Sequence, residues 1–245
     1  MTTNRRTSVI VGVLYIIGTV AGIFSLVFME PIRNVQDPLV YVSTHGNQVV
    51  IGAIFVLIMG LALAMIPVLM FPILKEHNEV LALGYVVFRG GLEAIIYIAM
   101  VISWLFLLPL SQIYTQTTIP DVSSFRALGA LLLNANELSS ILTIVFILGA
   151  VMFYTALYQS KLVPRWLSGW GLVATIPYFA AGLSVMFGVI DPLSTIGSVA
   201  DIPLALQEMV LSVWLIAKGF NSSLTGLVLD QAALHGLLKK EITDA

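Results

Sequence analysis

Phe88-Arg89-Gly90-Gly91-Leu92-Glu93 places two full charges inside a stretch that is otherwise apolar enough and long enough to cross a bilayer. Between Val80 and Pro109 the ionisable side chains are Arg89, Glu93 and two tyrosines, Tyr85 and Tyr97. At about 100° of rotation per helical residue, Arg89, Glu93, Tyr97, Met100 and Trp104 share one stripe about 80° wide. A charge at bilayer depth costs roughly 2.5–3.5 kcal/mol on insertion scales, so such residues turn toward a bundle interior or water and take a partner. The stripe is therefore predicted to face inward, against other helices.

The rest of the chain has the composition that such a bundle needs. Of 245 residues, 59% are apolar and 10% charged, far below the about 25% charge of soluble domains. One membrane domain accounts for nearly all of the length. The net charge of −2 leaves no basic surface for nucleic acid. Zero cysteine excludes disulfides, thiolate metal sites and cysteine nucleophiles, and three histidines leave few nitrogen ligands for a metal. Cofactor and metal are left open.

Hydropathy and turn residues predict an all-α, polytopic protein with six transmembrane helices in one bundle, at about 8–28, 47–71, 80–108, 127–158, 167–190 and 203–219. The first run follows Arg5-Arg6, is longer than a signal-peptide core and lacks a small-x-small cleavage site before Glu30-Pro31, so it is expected to stay as an anchor. Gly18 and Gly22 form a small-xxx-small pair suited to close helix packing within the bundle. Residues 30–46 read as a polar loop with a short interfacial turn near Leu39 to Tyr41, and residues 109–124 as a second loop. A third loop is expected over 191–201, with the sixth helix opening at Pro203. Residues 221–245 read as a tail with a short amphipathic helix, at about 224–238, on the membrane face.

Lys and Arg placement sets the orientation. With the N-terminus in the cytoplasm, the inner segments hold Arg5, Arg6, Lys75, Lys161, Arg165, Lys218, Lys239 and Lys240, while the outer loops hold Arg33 and Arg126. Eight against two predicts both termini in the cytoplasm, with the chain in a bacterial cytoplasmic membrane. The lipid bilayer is the implied partner, and the oligomeric state is left open.

Several segments together carry a resemblance. They are Lys75-Glu76-His77-Asn78-Glu79, Phe88-Arg89 with Glu93, Asn134-x-x-Glu137, Pro164-Arg165-Trp166-Leu167-Ser168-x-Trp170-Gly171, Pro203-x-Ala205-x-Gln207-Glu208, and Trp214-Leu215-Ile216-x-Lys218-Gly219-Phe220. In this combination the chain resembles a bacterial family catalogued as domain of unknown function 4386, over about residues 5–220. The resemblance implies a six-helix membrane protein and supplies no activity, cofactor or site residue.

The intramembrane polar residues are Arg89, Glu93, Asn134, Asn136, Glu137, Gln207 and Glu208. Arg89 and Glu93 alone would be a self-neutralising i,i+4 pair. If Glu137 and Glu208 join them, one positive group faces three acids, and a bound cation, protonation or water must restore the balance. At 1.5 Å per residue, Arg89 and Glu93 lie roughly 14 and 20 Å from the inner boundary, and Glu137 and Glu208 roughly 15 and 8 Å from the outer one. These four residues are therefore predicted to converge on one cavity in the outer half of the membrane. Asn134 and Gln207 flank it, and His45, at the outer end of the second helix, is a candidate cap against the simpler reading of a solvated loop histidine. Ser139, Ser140 and Thr143 read as hydrogen-bonding residues, because no intramembrane histidine or Gly-x-Ser-x-Gly elbow would activate a serine.

Three functions from different classes are compatible with this pattern. The first is a small transporter or binder of a proton, a cation or a small molecule. The second is an intramembrane enzyme that acts on lipid through Glu93 and Glu137 as acid and base. The third is a structural or sensory accessory subunit in which the charges specify helix pairing.

Overall fold

Lipid offers no hydrogen bonds, so an apolar run must satisfy its backbone internally, and a helix does this within one segment. The computed structural model, which describes residues 3–116, 122–134, 136–191 and 194–221, is helical throughout its regular segments and contains no strand among those residues. The elements are α1 (Thr3–Arg33), α2 (Pro38–Leu74), α3 (Glu79–Tyr85), a π-helical segment (Val86–Leu92), α4 (Glu93–Gln116), α5 (Ser123–Asn134), α6 (Asn136–Ser160), α7 (Arg165–Met186) and α8 (Thr195–Ala217). Six stretches among the described residues are long and apolar enough to span a bilayer: Asn4–Arg33, Pro38–Leu74, Glu79–Gln116, Ser123–Ser160, Arg165–Met186 and Thr195–Ala217.

The helices run further than the turn residues suggest. Residues 30–46 are not an open loop: α1 continues to Arg33, and α2 begins at Pro38, capped by Asp37. Its first turns are set off from the rest by a break at His45, where φ is −121° and ψ is 30°. Pro109 lies inside α4, which continues to Gln116. Pro203 lies inside α8, which starts at Thr195 because the Ser194 hydroxyl accepts the Gly197 N–H at 3.2 Å. Conversely, α7 ends at Met186, short of 190. A proline removes one backbone bond, and neighbouring helices make that tolerable in a membrane bundle. Punctuation by proline therefore misplaces these ends. The expected amphipathic piece at 224–238 lies outside the described residues.

Two apolar cores stack along the bundle. One gathers Tyr15, Met70, Tyr85, Phe153, Leu167 and Leu211, and the other Met29, Val49, Val56, Tyr97, Trp104 and Leu107. Helix α1 packs on α2 and α8, α7 lies against α6 and α8, and the π-helical segment touches α2 and α6. Gly18 and Gly22 serve the packing within the chain: a β-carbon would fall 2.8 Å from Leu63 at the first and 2.9 Å from Met59 at the second. Arg5 donates to the carbonyls of Leu215 at 2.9 Å and Ile216 at 2.6 Å, satisfying acceptors that the end of α8 leaves open. The start of α1 and the end of α8 thus sit at one face of the bundle, as an even number of crossings requires.

Candidate functional site

The Gly90-Gly91 pair weakens helical preference at the middle of the third span, and there the backbone widens. The Glu93 N–H donates to the Phe88 carbonyl, five residues back rather than four. Such π segments are uncommon and concentrate at functional sites. This one lies where the two cores meet, and it carries Arg89.

Arg89 is 3% exposed and Glu93 1%. Arg89 Nη1 donates to Glu93 Oε1 at 3.1 Å and lies 3.1 Å from Oε2. Arg89 Nη2 reaches Glu208 Oε1 at 3.5 Å, across to α8. Its guanidinium also stands 4.3 Å from the centre of the Phe146 ring, a cation–π contact from α6. The Tyr97 hydroxyl donates to Glu93 Oε1 at 3.2 Å, while Glu93 Oε2 accepts no hydrogen bond among the described residues. One guanidinium thus serves two acids, and one buried carboxylate oxygen is left incompletely satisfied.

The predicted residues divide. Arg89, Glu93 and Glu208 come together with Tyr97, and Trp104 is buried further along the same α4 stripe, about three turns beyond Glu93. Gln207 turns to a different partner set: it accepts from the Tyr154 hydroxyl at 2.6 Å and donates to the Leu167 carbonyl at 3.0 Å, tying α8 to α6 and α7. His45 is exposed, stacked on Tyr41 with ring centres 4.1 Å apart and 2.8 Å from the Thr44 hydroxyl, so it does not cap the site. Asn134 is exposed at the end of α5. The side chains of Asn136 and Glu137 lie outside what is described. Thr143 donates to the Ser139 carbonyl at 3.1 Å, the backbone bond expected of a helical threonine.

A cavity of about 280 Å³ opens beside the charges, with Arg89, Tyr97, Tyr178, Asp201 and Glu208 in its wall together with apolar residues of α1 and α2. Asp201 is the residue that sequence reading missed. Starting the last helix at Pro203 left it in a loop, whereas on α8 it stands seven residues before Glu208, on the same face. It has no ion pair among the described residues. The signal that would have found it is Ser194, a helix-capping residue nine positions upstream of Pro203.

A second polar cluster joins three helix ends at the opposite side of the bundle from the Arg5 contacts. Asp37 accepts from the Tyr114 hydroxyl at 2.7 Å, from Arg126 Nη2 at 3.1 Å and from the Val40 N–H at 3.4 Å. Burial pushes the Asp37 carboxyl up, but the Tyr114, Val40 and Arg126 bonds outweigh it and hold the group below its ordinary value. A depressed acid contributes stability above its unfolded value and loses it as the pH falls through the folded one. Acidification through the carboxylate range should therefore lower the thermal midpoint of the wild type by about 2–4 °C more than that of Asp37→Asn. Equal losses in a thermal-shift assay would show that this cluster contributes nothing, the common result for an ion pair whose arginine is exposed.

The family model described as domain of unknown function (DUF4386) matches residues 10–219. No curated protein and no solved structure matches the chain.

Proposed function

We propose, starting from the fact that the chain belongs to the DUF4386 family, whose description assigns no activity, that it is a small membrane-embedded binder or transporter of a proton or cation, placed in a bacterial cytoplasmic membrane. The observation that carries this reading is the imbalance around the cavity. Arg89 is engaged by both Glu93 and Glu208, and Asp201 stands in the same wall without an ion pair among the described residues. Two acids against one guanidinium at a depth where charge is expensive, with a third, exposed acid in the same cavity wall, call for protons or a cation to complete the set.

An accessory subunit that uses charges only to pair helices needs a closed, balanced set. A cavity walled by two of the acids is superfluous to that task and supports binding instead. A lipid-directed enzyme would rest on Glu137, about whose side chain nothing is described.

The test is reconstitution into liposomes, with proton and monovalent-cation binding and flux followed in wild type, Glu208→Gln and Glu93→Gln. Wild type should bind or pass at least one of these ions, and each substitution should reduce the signal by about tenfold or more, the effect of a lost charge close to a desolvated cation. Wild-type protein that is folded yet neither binds nor conducts would overturn the reading.

A further inference from the structure

We propose that the ion reaches Arg89 and Glu208 through water, from the membrane face at which α8 begins, and that Asp201 selects for cations along the way. This rests on the reading of the site as a cation or proton site and adds its route and its filter.

A smaller cavity, about 110 Å³, lies between α6, α7 and the first turns of α8, with Ser139, Ser140, Thr143, Gly197 and Asp201 in its wall. Three residues, Leu142, Tyr178 and Asp201, line both this cavity and the larger one that holds Arg89 and Glu208. The two spaces are therefore separated by one layer of side chains, and Asp201 belongs to that layer. Along α8, Gly197, Asp201, Ala205 and Glu208 follow at intervals of four, four and three residues, which keeps them on one face. Asp201 and Glu208 are about 10.5 Å apart along the helix axis at 1.5 Å per residue. A small residue, an acid, a small residue and an acid thus descend from the helix start to the buried arginine.

In the opposite direction the described side chains are buried. Beyond the site toward the Arg5 face, Tyr15, Tyr85 and Tyr154 are each 1% exposed, and Phe153, stacked on Tyr85 at 4.5 Å, is 2% exposed. At that end α1 meets α8 so closely that a β-carbon on Gly12 would lie 2.7 Å from the Ser212 carbonyl. Among the described residues, this side of the site is closely packed.

The sign of the field follows from the wall residues. No lysine or arginine lines the smaller cavity, and in the larger one Arg89 is already engaged by two acids. Asp201 is exposed in the wall of both cavities, and an acid lining a cleft without a competing cation concentrates cations and repels anions. Behind Arg89, in neither cavity wall, Glu93 Oε2 is a buried acceptor that lies 3.1 Å from Arg89 Nη1 without a hydrogen bond among the described residues.

The chain has no cysteine, so single cysteines can be introduced without removing any. Ala181→Cys probes the smaller cavity and Ala205→Cys the exposed face of α8 between Asp201 and Glu208. Ile202→Cys, at a position 50% exposed but in neither cavity wall, is the lipid-facing control. In proteoliposomes of the full chain, the membrane-impermeant cationic reagent trimethylammonium-ethyl methanethiosulfonate should label the first two from one side. It should do so about tenfold or more faster than the anionic sulfonatoethyl reagent, and should leave the control unlabelled. Adding Asp201→Asn should collapse the cation-to-anion ratio by about tenfold, as expected for one charge within several Å, and Asp201→Glu should restore it.

Folded Ala205→Cys protein that reacts only with a lipid-soluble maleimide would overturn the aqueous route in favour of entry from the bilayer between α1 and α8. A ratio that Asp201→Asn leaves unchanged would overturn the filter. These outcomes are separate from the functional reading. Labelling as described with no cation binding or flux would leave the route standing and remove the function, whereas binding or flux without labelling would do the reverse.

Discussion

Replacing Arg89 by methionine should cost about 3–5 kcal/mol of stability, the penalty of breaking a buried ion pair from one side only. Methionine keeps an unbranched stem of similar length and removes the guanidinium, which stands over the Phe146 ring and is the one charge between Glu93 and Glu208. Two acids then face one another across the bundle with the Tyr97 hydroxyl as the remaining donor on Glu93. The combined variant Arg89→Met, Glu93→Gln, Glu208→Gln removes all three charges at once and leaves an amide oxygen to accept from Tyr97. It should recover most of the loss, because neutral groups of similar shape replace buried ion pairs at little cost. Denaturant titration in mixed micelles, followed by tryptophan fluorescence, measures both variants; Trp104 is 2% exposed and reports on unfolding of the bundle interior. A single variant within about 1 kcal/mol of wild type would mean that the arginine does not neutralise the two acids, and the site as drawn would not stand. A combined variant no better than the single one would mean that shape, not charge, is what Arg89 supplies.

The inward stripe was legible because charge in lipid has few places to go. A rotation of about 100° per residue sufficed to place Arg89, Glu93, Tyr97 and Trp104 on one face, and all four are buried. Six spans were legible for the same reason, since length and apolarity leave little choice of structure in a bilayer. Helix ends were not. Pro38, Pro109 and Pro203 look like punctuation in a water-soluble chain, yet here they sit at the start of one helix and inside two others. That misreading moved Asp201 from helix to loop and hid its alignment with Glu208. The widened backbone at 86–92 left only a faint trace, two adjacent glycines, because a π turn depends on what packs against it. Gln207 shows the limit of depth arguments. It neighbours Glu208 in sequence, but a shift of one residue turns it by about 100°, toward Tyr154 and the Leu167 carbonyl instead of Arg89.

What packs against the widened turn is Gly149 of α6, and placing even a methyl group there should separate the two elements. A β-carbon at Gly149 would fall against Arg89 Cγ, and would stand 3.2 Å from the Arg89 backbone nitrogen and 3.2 Å from Phe88 Cβ. The side chain can swing, but the nitrogen is fixed in the helix. Relief must come from a shift of α6 itself, which also carries Phe146 onto the guanidinium. Gly149→Ala should therefore cost about 1–3 kcal/mol, the range for overpacking a filled interior, and Gly149→Leu should cost more, although both substitutions raise intrinsic helical preference by up to about 1 kcal/mol. The sign is the informative part: propensity alone predicts stabilisation, and close approach predicts loss. Coupling to Arg89 separates the two contributions of the contact. In Arg89→Ala, Cγ is gone while the backbone nitrogen stays, so the added cost of Gly149→Ala should shrink by about 1 kcal/mol without vanishing, a coupling normal for touching residues. The same denaturant titration reads all four corners of this cycle. A Gly149→Ala variant as stable as wild type would show that α6 does not seat against the π turn, and the position of Arg89 between Glu93 and Glu208 would then need another explanation.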